Sequence, residues 1–239
     1  MDLRSIEKIV KEAMSVGKKN LTEPEAKNVL SLGDIPVGQF RLVKDVRGAV
    51  EAAQEIGYPV ALKVVSPDIV HKSDVGGVVV GLKNAFDIEA AWAQMLYTVS
   101  DERATASIEG FLIEKEAPPA LEVIVGAIKD EQFGPVVMFG VGGVAVELMR
   151  DVSFRLAPLT REQALEMMRE VRGFPLLNGY RGAVRRDVRA VANAIVRLSE
   201  ILEQADGIKE IEINPLFVYE NGVLAVDARA VLDGPKAQP

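Results

Sequence analysis

The dipeptide Asn221-Gly222 lies between two apolar runs, residues 208–219 and 223–231. A tight two-residue turn needs positive φ angles that Asn and Gly adopt cheaply, so this pairing is a strong hairpin signal. Ile211-Glu212-Ile213-Asn214-Pro215 alternates apolar and polar residues, the pattern of a strand with one buried face. A two-residue turn pairs Glu220 with Val223, sets Leu216 opposite Asp227 and sets Asn214 opposite Arg229. Ile211, Ile213 and Phe217 then share one face; Glu212, Asn214 and Leu216 share the other with Asp227. Diagonal neighbours on a face are roughly 7–8 Å apart, close enough for side chains to meet at an ion. Two carboxylates and an amide are hard oxygen donors, suited to a Mg²⁺ that also holds substrate phosphates. A solvated polar face would show the same alternation, so both readings stand. Pro215, which removes a ladder donor, is awkward for the plain polar face.

A second constraint comes from residues 59–82. Pro59-Val60-Ala61-Leu62-Lys63-Val64-Val65 reads as a strand, and an apolar β-branched run, Val78-Val79-Val80, reads as another. Between them stand His71, the single histidine of the chain, then Lys72, Ser73 and the pair Gly76-Gly77. Backbone N–H groups near glycine approach phosphate oxygens closely, and lysine supplies charge. A neutral imidazole can also attack phosphorus and carry a phosphoryl group. The bland alternative is a polar loop with a bystander histidine. Lys63 lies in an apolar strand, where an unpaired ammonium is costly, so it needs a partner. Glu114 and Glu122 flank Pro118-Pro119 and read either as solvated strand polarity or as nucleotide contacts. The Walker lysine–serine pattern is absent.

Composition narrows the functions. The chain has 239 residues, no cysteine and a net charge of −7, with a pI near 5.0. Disulfides, thiolate metal sites and a cysteine nucleophile are excluded. Nucleic acid is a poor partner for so acidic a chain. The first residues alternate in charge, and the most apolar run, residues 136–146, is rich in glycine and too short to span a bilayer. A cytoplasmic protein without a membrane partner is expected.

Helical periodicity appears over residues 3–14, 45–56, 87–100 and 186–203, with Trp92 in a core stripe. Thr22-Glu23-Pro24-Glu25 and Thr160-Arg161-Glu162-Gln163 are capping boxes that open further helices. Strands are expected over 36–43, 111–116, 121–126, 135–138 and 144–148. The shift in pattern near residues 101–110 divides the chain into an N-terminal helix (1–20), a smaller α/β lobe (21–107) and a larger α+β lobe (108–239). Arg181, Arg185, Arg186 and Arg189 gather near Asn178-Gly179-Tyr180. That cluster is either a solvated helix start or a contact for an anion or a partner.

Four stretches, ordered along the chain, together resemble the ATP-grasp β subunits of nucleoside-diphosphate-forming acyl-CoA synthetases. They are Leu62-Lys63 with residues 71–78, residues 114–122, residues 139–144 with 151–159, and Glu212-Ile213-Asn214-Pro215-Leu216 with Asp227. The likeness is strongest to the ADP-forming acetyl-CoA synthetase branch and weaker to succinyl-CoA synthetase. It implies an ATP-grasp fold, α/β (α+β), with two lobes and the nucleotide between them. It implies an acetate–CoA ligase (ADP-forming) reaction, acyl-CoA + ADP + phosphate ⇌ acid + CoA + ATP. Lys63, Lys72 and Ser73 would contact phosphates, supported by Gly76 and Gly77. Glu114 and Glu122 would hold the adenine–ribose side, with the Ala117 backbone near the base. Asn214 and Asp227, with Glu212, would bind Mg²⁺. His71 would relay a phosphoryl group from a phosphohistidine loop on an α subunit, which would supply the CoA-binding and ligase domains in an α₂β₂ heterotetramer. The glycine-rich residues 140–143 and Tyr180-Arg181-Gly182 are candidates for partner contacts. The alternatives are another ATP-grasp carboxylate ligase without a histidine relay, and a non-catalytic nucleotide-sensing module.

Overall fold

The computed structural model describes residues 1–69, 72–102, 107–142 and 151–233. Expectations that fall on His71, Gly143 and the strand over 144–148 lie outside these residues.

Local chemistry sets the element ends. Helix α1 (Leu3–Ser15) opens on Asp2, whose side chain accepts from the Ser5 N–H. A short strand β1 (Asn20–Leu21) leads to α2 (Glu23–Leu32), where the Thr22–Glu25 capping box forms and Pro24 sits in the first turn. Strand β2 (Phe40–Val43) is shorter than its apolar run. Helix α3 (Val46–Ile56) is capped by Asp45 and ended by Gly57 at φ +86°. Strand β3 (Val60–Val65), a 3₁₀ turn (Lys72–Val75), β4 (Val78–Leu82), α4 (Ala85–Glu102) and β5 (Gly110–Lys115) follow. Then come β6 (Leu121–Asp130), β7 (Gly134–Val141) and β8 (Val152–Leu156). Helices α5 (Arg161–Glu170, with its Thr160–Gln163 box), α6 (Phe174–Leu177) and α7 (Val188–Gln204) precede β9 (Ile208–Val218), β10 (Val223–Ala225) and β11 (Ala228–Leu232).

Packing divides the chain into one unit of Met1–Val37 with Pro119–Pro239 and another of Gly38–Pro118. These cuts differ from divisions at residues 20 and 107. The reason is burial: Ile6, Val10, Ala26 and Leu30 from α1 and α2 join the same core as Phe139, Ile195 and Ile211. Strand β1 also pairs with β11, Asn20 against Val231. Periodicity marks such helices but not the sheet that receives them.

The larger unit holds a seven-stranded sheet among the described residues, in the order β1-β11-β9-β6-β7-β8, with β10 on β9. Helices α5 and α7 cover its inner face through Met167, Met168, Ile195 and Leu198. The smaller unit holds an antiparallel sheet β2-β5-β3-β4. Helices α3 and α4 pack on it through Ala49, Ala53, Ile88 and Met95. Trp92 belongs to this core, its ring 4.0 Å from that of Phe111.

The C-terminal hairpin differs from its expected pairing in two ways. Val218, not Glu220, pairs with Val223, so the loop is four residues long and every pair moves by two: Leu216 faces Ala225 and Glu212 faces Arg229. The longer loop is held from outside: the Gly222 N–H donates to Asp187 Oδ2 at 2.9 Å, and the Asp187 N–H donates to the Tyr219 carbonyl at 2.8 Å. A shift of two keeps each side chain on its face, whereas a shift of one would reverse it. Second, Leu216 is fully buried with Ile211 and Ile213, and Phe217 is only half-buried, the reverse of the expected faces. The alternation slips at Asn214-Pro215, opposite Val226-Asp227, so two successive residues on each strand leave the core side. Pro215 has no N–H for the ladder, and the register of β9 on β6 shifts at the same place.

Candidate functional site

The candidate residues fall into two groups, one in each unit. In the smaller unit β3 is an inner strand, paired to β4 and β5. Ala61 faces Glu114 and Lys63 faces Leu112, which makes Lys63 and Glu114 diagonal neighbours on one face. Lys63 Nζ lies 2.8 Å from Glu114 Oε2, and each side chain is 6% exposed. This meets the demand that a lysine in an apolar strand find a counter-charge; losing either member would leave the other buried and uncompensated. Gly38 leaves room for the carboxylate, since a Cβ there would stand 3.1 Å from Glu114 Oε1.

The lysine-bearing turn is hooked to the same strand. Gly77 N–H donates to the Lys72 carbonyl at 2.7 Å, and Val64 N–H donates to the Gly77 carbonyl at 2.9 Å. Lys63 itself pairs with Val78. Gly77 cannot carry a side chain, because a Cβ would meet Val64 Cγ1 at 2.6 Å and the Lys72 oxygen at 2.9 Å. Gly76 turns the chain at φ +66°. The two glycines therefore bring Lys72 to within a residue or two of the strand that carries Lys63. Lys72 is half-buried and Ser73 exposed. His71, next to Lys72 in sequence, lies outside the described residues.

Two neighbours of Ala117 were not singled out by sequence. Lys115 Nζ donates to the carbonyls of Gly57 (2.9 Å) and Tyr58 (2.8 Å). Glu116 Oε2 accepts from Gly81 N–H at 2.7 Å. They fix the end of β5 just before Ala117. The signal was present in Glu114-Lys115-Glu116, three successive charges at the end of an apolar strand.

In the larger unit Glu122, the second residue of β6, stands opposite Phe217, and its carbonyl accepts from Gly142 N–H at 2.8 Å. Asn214 and Asp227 lie directly across the hairpin, closer than the diagonal relation expected, with Asn214 N–H donating to the Asp227 carbonyl at 3.2 Å. Asp227 Oδ1 accepts from the Ala228 N–H at 2.8 Å. Asn214 is exposed, and Glu212 and Asp227 are half-buried. Glu212 faces Gly126, where a Cβ would stand in ordinary contact with Met138 Cε at 3.5 Å and Glu212 Cγ at 4.0 Å. No group of three His, Cys, Asp or Glu side chains able to hold a metal is found among the described residues. The donor set here is two carboxylates and an amide, all hard oxygens. It fits Mg²⁺, which keeps water and substrate phosphate in part of its shell.

The sequence profile of the ATP-grasp domain matches residues 12–232. The acetate–CoA ligase (ADP-forming) I subunit beta of Pyrococcus furiosus is 45% identical over 221 residues, 92% of this chain and 95% of that one. The chain belongs to the ATP-grasp family, among the beta subunits of ADP-forming acetate–CoA ligases. The form II subunit beta of P. furiosus is 39% identical, covering 95% of this ATP-grasp chain and 98% of its own length. In Archaeoglobus fulgidus the acetate–CoA ligase (ADP-forming) I is 42% identical over 95% of this chain, which spans 33% of that longer protein. Among solved structures, the Candidatus Korarchaeum cryptofilum acetyl-coenzyme A synthetase 1 in complex with coenzyme A and Ca-AMPCP superposes with a TM-score of 0.93. It is 44% identical and covers 95% of this chain and 99% of that one.

Proposed function

We propose that this chain is the nucleotide-binding β subunit of an ADP-forming acetate–CoA ligase, making ATP from acyl-CoA, ADP and phosphate with a separate α subunit. The observation that carries this reading is the chain-long likeness to subunits of that name, with cationic and hard-oxygen groups in place in the two units. The A. fulgidus relative is about three times as long, which supports a partner supplying the missing part. A K. cryptofilum structure of this family holds Mg-AMPPCP with a phosphohistidine segment pointing towards the nucleotide-binding site.

In this reading residues 38–118 act as the smaller ATP-grasp lobe and the remainder as the larger. Lys63, Lys72 and Ser73 bind nucleotide phosphates, with Gly76 and Gly77 shaping the turn. Glu114, Glu122 and the Ala117 backbone hold the adenosine. Asn214, Asp227 and Glu212 hold Mg²⁺, which neutralises phosphate charge when bound. His71 accepts the phosphoryl group as the N–P bond on the partner's histidine breaks, then yields it to the terminal oxygen of ADP. Lys63 and Lys72 stabilise the transferring charge from fixed positions. The assembly is an α₂β₂ heterotetramer in the cytoplasm. Among the described residues no helix is long and apolar enough to cross a membrane.

The test is ATP formation from acetyl-CoA, ADP and phosphate by this chain with its purified α subunit. His71→Ala should abolish it while ADP still binds, and acid-labile phosphate should appear on His71 in the unaltered chain. Full ATP formation by His71→Ala would remove the relay.

A further inference from the structure

Residues 172–189 carry five arginines and one acid, Asp187, in a chain of net charge −7. Asp187 is engaged inward: its carboxylate accepts from the N–H groups of Ala190 and Gly222, both at 2.9 Å. Arg172, Arg181, Arg185 and Arg189 are exposed. A solvated helix start would explain the arginines alone. It does not explain the large apolar side chains set among them: Leu176, Tyr180 and Val184 are 45%, 53% and 49% exposed. Arg181 lies over the Tyr180 ring, 5.4 Å from its centroid. Aromatic and arginine side chains with scattered apolar ones are the mixture found in the buried centre of protein interfaces.

The segment is also shaped before any partner arrives. Arg186 N–H donates to the Leu177 carbonyl at 2.8 Å, closing the loop at its base. Gly179 and Gly182 have φ of +85° and +83°, and Arg181, with a full side chain, is held at +55°. A non-glycine residue in this region is strained, and such strain clusters at binding sites and switches. Gly179 has no substitute, since a Cβ would meet the Ala183 carbonyl oxygen at 2.5 Å. Fixing a loop in advance lowers the entropy lost on binding.

We infer that residues 176–186 are a docking surface for an acidic face of the α subunit. The inference rests on the β-subunit reading above. Charge complementarity chooses an acidic polypeptide. A nucleic acid would require a far wider basic face, and a membrane surface an amphipathic helix. Position favours the partner that delivers phosphate. Through Asp187, Tyr219 and Gly222 the segment is tied to the tip of the hairpin that carries Asn214 and Asp227. On the other side Gly173 packs on Val141, beside the glycine-rich residues 140–142.

The experiment is calorimetric association of this chain with its purified α subunit, without nucleotide, over a range of salt concentrations. Arg181→Glu with Arg185→Glu should weaken association by about tenfold or more at low salt and flatten its salt dependence. Affinity of the isolated chain for Mg-ADP should not change. Arg181→Gly accepts the left-handed backbone without strain, so it should fold normally and still weaken association. Unaltered association in both variants overturns the docking surface while leaving the β-subunit reading intact. A wild-type chain that never associates with the α subunit overturns both. Binding to polyuridine or phosphatidylserine vesicles that the charge reversal abolishes, with association unchanged, also overturns it.

Discussion

Among the described residues two lysine–glutamate pairs are buried, and they are built differently. Lys27 and Glu23 stand one helical turn apart on α2, 2.9 Å between charges, with side chains 0% and 1% exposed. Lys63 and Glu114 come from neighbouring strands, 2.8 Å apart, each 6% exposed. The first pair is sealed within the core of the larger unit. The second stands on a strand to which the glycine-shaped Lys72 turn is hydrogen-bonded. A buried lysine is therefore not in itself a mark of chemistry. The surroundings differ: one pair lies where a helix packs into the core, and the other holds an ammonium on the strand beside the glycine-shaped turn.

Single substitutions separate the two roles. Lys27→Met leaves Glu23 charged in a sealed core and should cost about 3–5 kcal/mol of stability, read by urea unfolding. Changing both members, Lys27→Met with Glu23→Leu, should recover most of that loss, and neither variant should alter Mg-ADP affinity if it folds. Lys63→Met should weaken Mg-ADP binding by about 2–3 kcal/mol in calorimetry, since a desolvated phosphate contact is lost. An unchanged dissociation constant would reduce the second pair to the status of the first. Gly38→Ala pushes a methyl towards Glu114 and should cost about 1 kcal/mol, appearing as weaker nucleotide binding.

The smallest effect concerns a third carboxylate, satisfied by neutral donors instead of a lysine. Burial raises the Asp187 carboxyl, but N–H groups of Gly222, Ala190 and Arg189 outweigh it and hold the group below its usual value. Its contribution to stability is then present above the ordinary aspartate range, about pH 4, and is lost as pH falls through the lowered folded value. Asp187→Asn should flatten the acid limb of the stability profile. An acid limb identical to that of the unaltered chain would show that the tie to the hairpin carries no weight.

What was legible in sequence was local. The capping boxes at Thr22 and Thr160 form, because their donors and acceptors lie within one turn. Asn221-Gly222 does mark a hairpin, and the need of Lys63 for a counter-charge is met. What was not legible depended on distant chain. The turn is two residues longer than local preference dictates because Asp187, from the start of another helix, engages Gly222. The slip at Pro215 exchanged Leu216 for Phe217 in the core. The one-turn spacing of Glu23 and Lys27 does not show that α1 and β11 pack against α2 and that the pair is buried. Asn214 and Asp227 lie across from one another because a shift of two residues brings position 214 opposite 227, where the Asn214 N–H donates to the Asp227 carbonyl.

The pairing of Asn20 with Val231 has a consequence for synthesis. The smaller unit has all its strands once Pro118 has left the ribosome, and its sheet involves only residues already made. The larger unit opens the chain but completes its sheet only when β11 emerges. Its first two helices must wait through most of translation with apolar faces such as Ile6, Val10 and Leu30 lacking their final cover. Contacts that span nearly the whole chain are slow to form, and exposed apolar surface meanwhile invites association. The inserted unit thus completes its sheet first, while the unit that flanks it in sequence waits for β11.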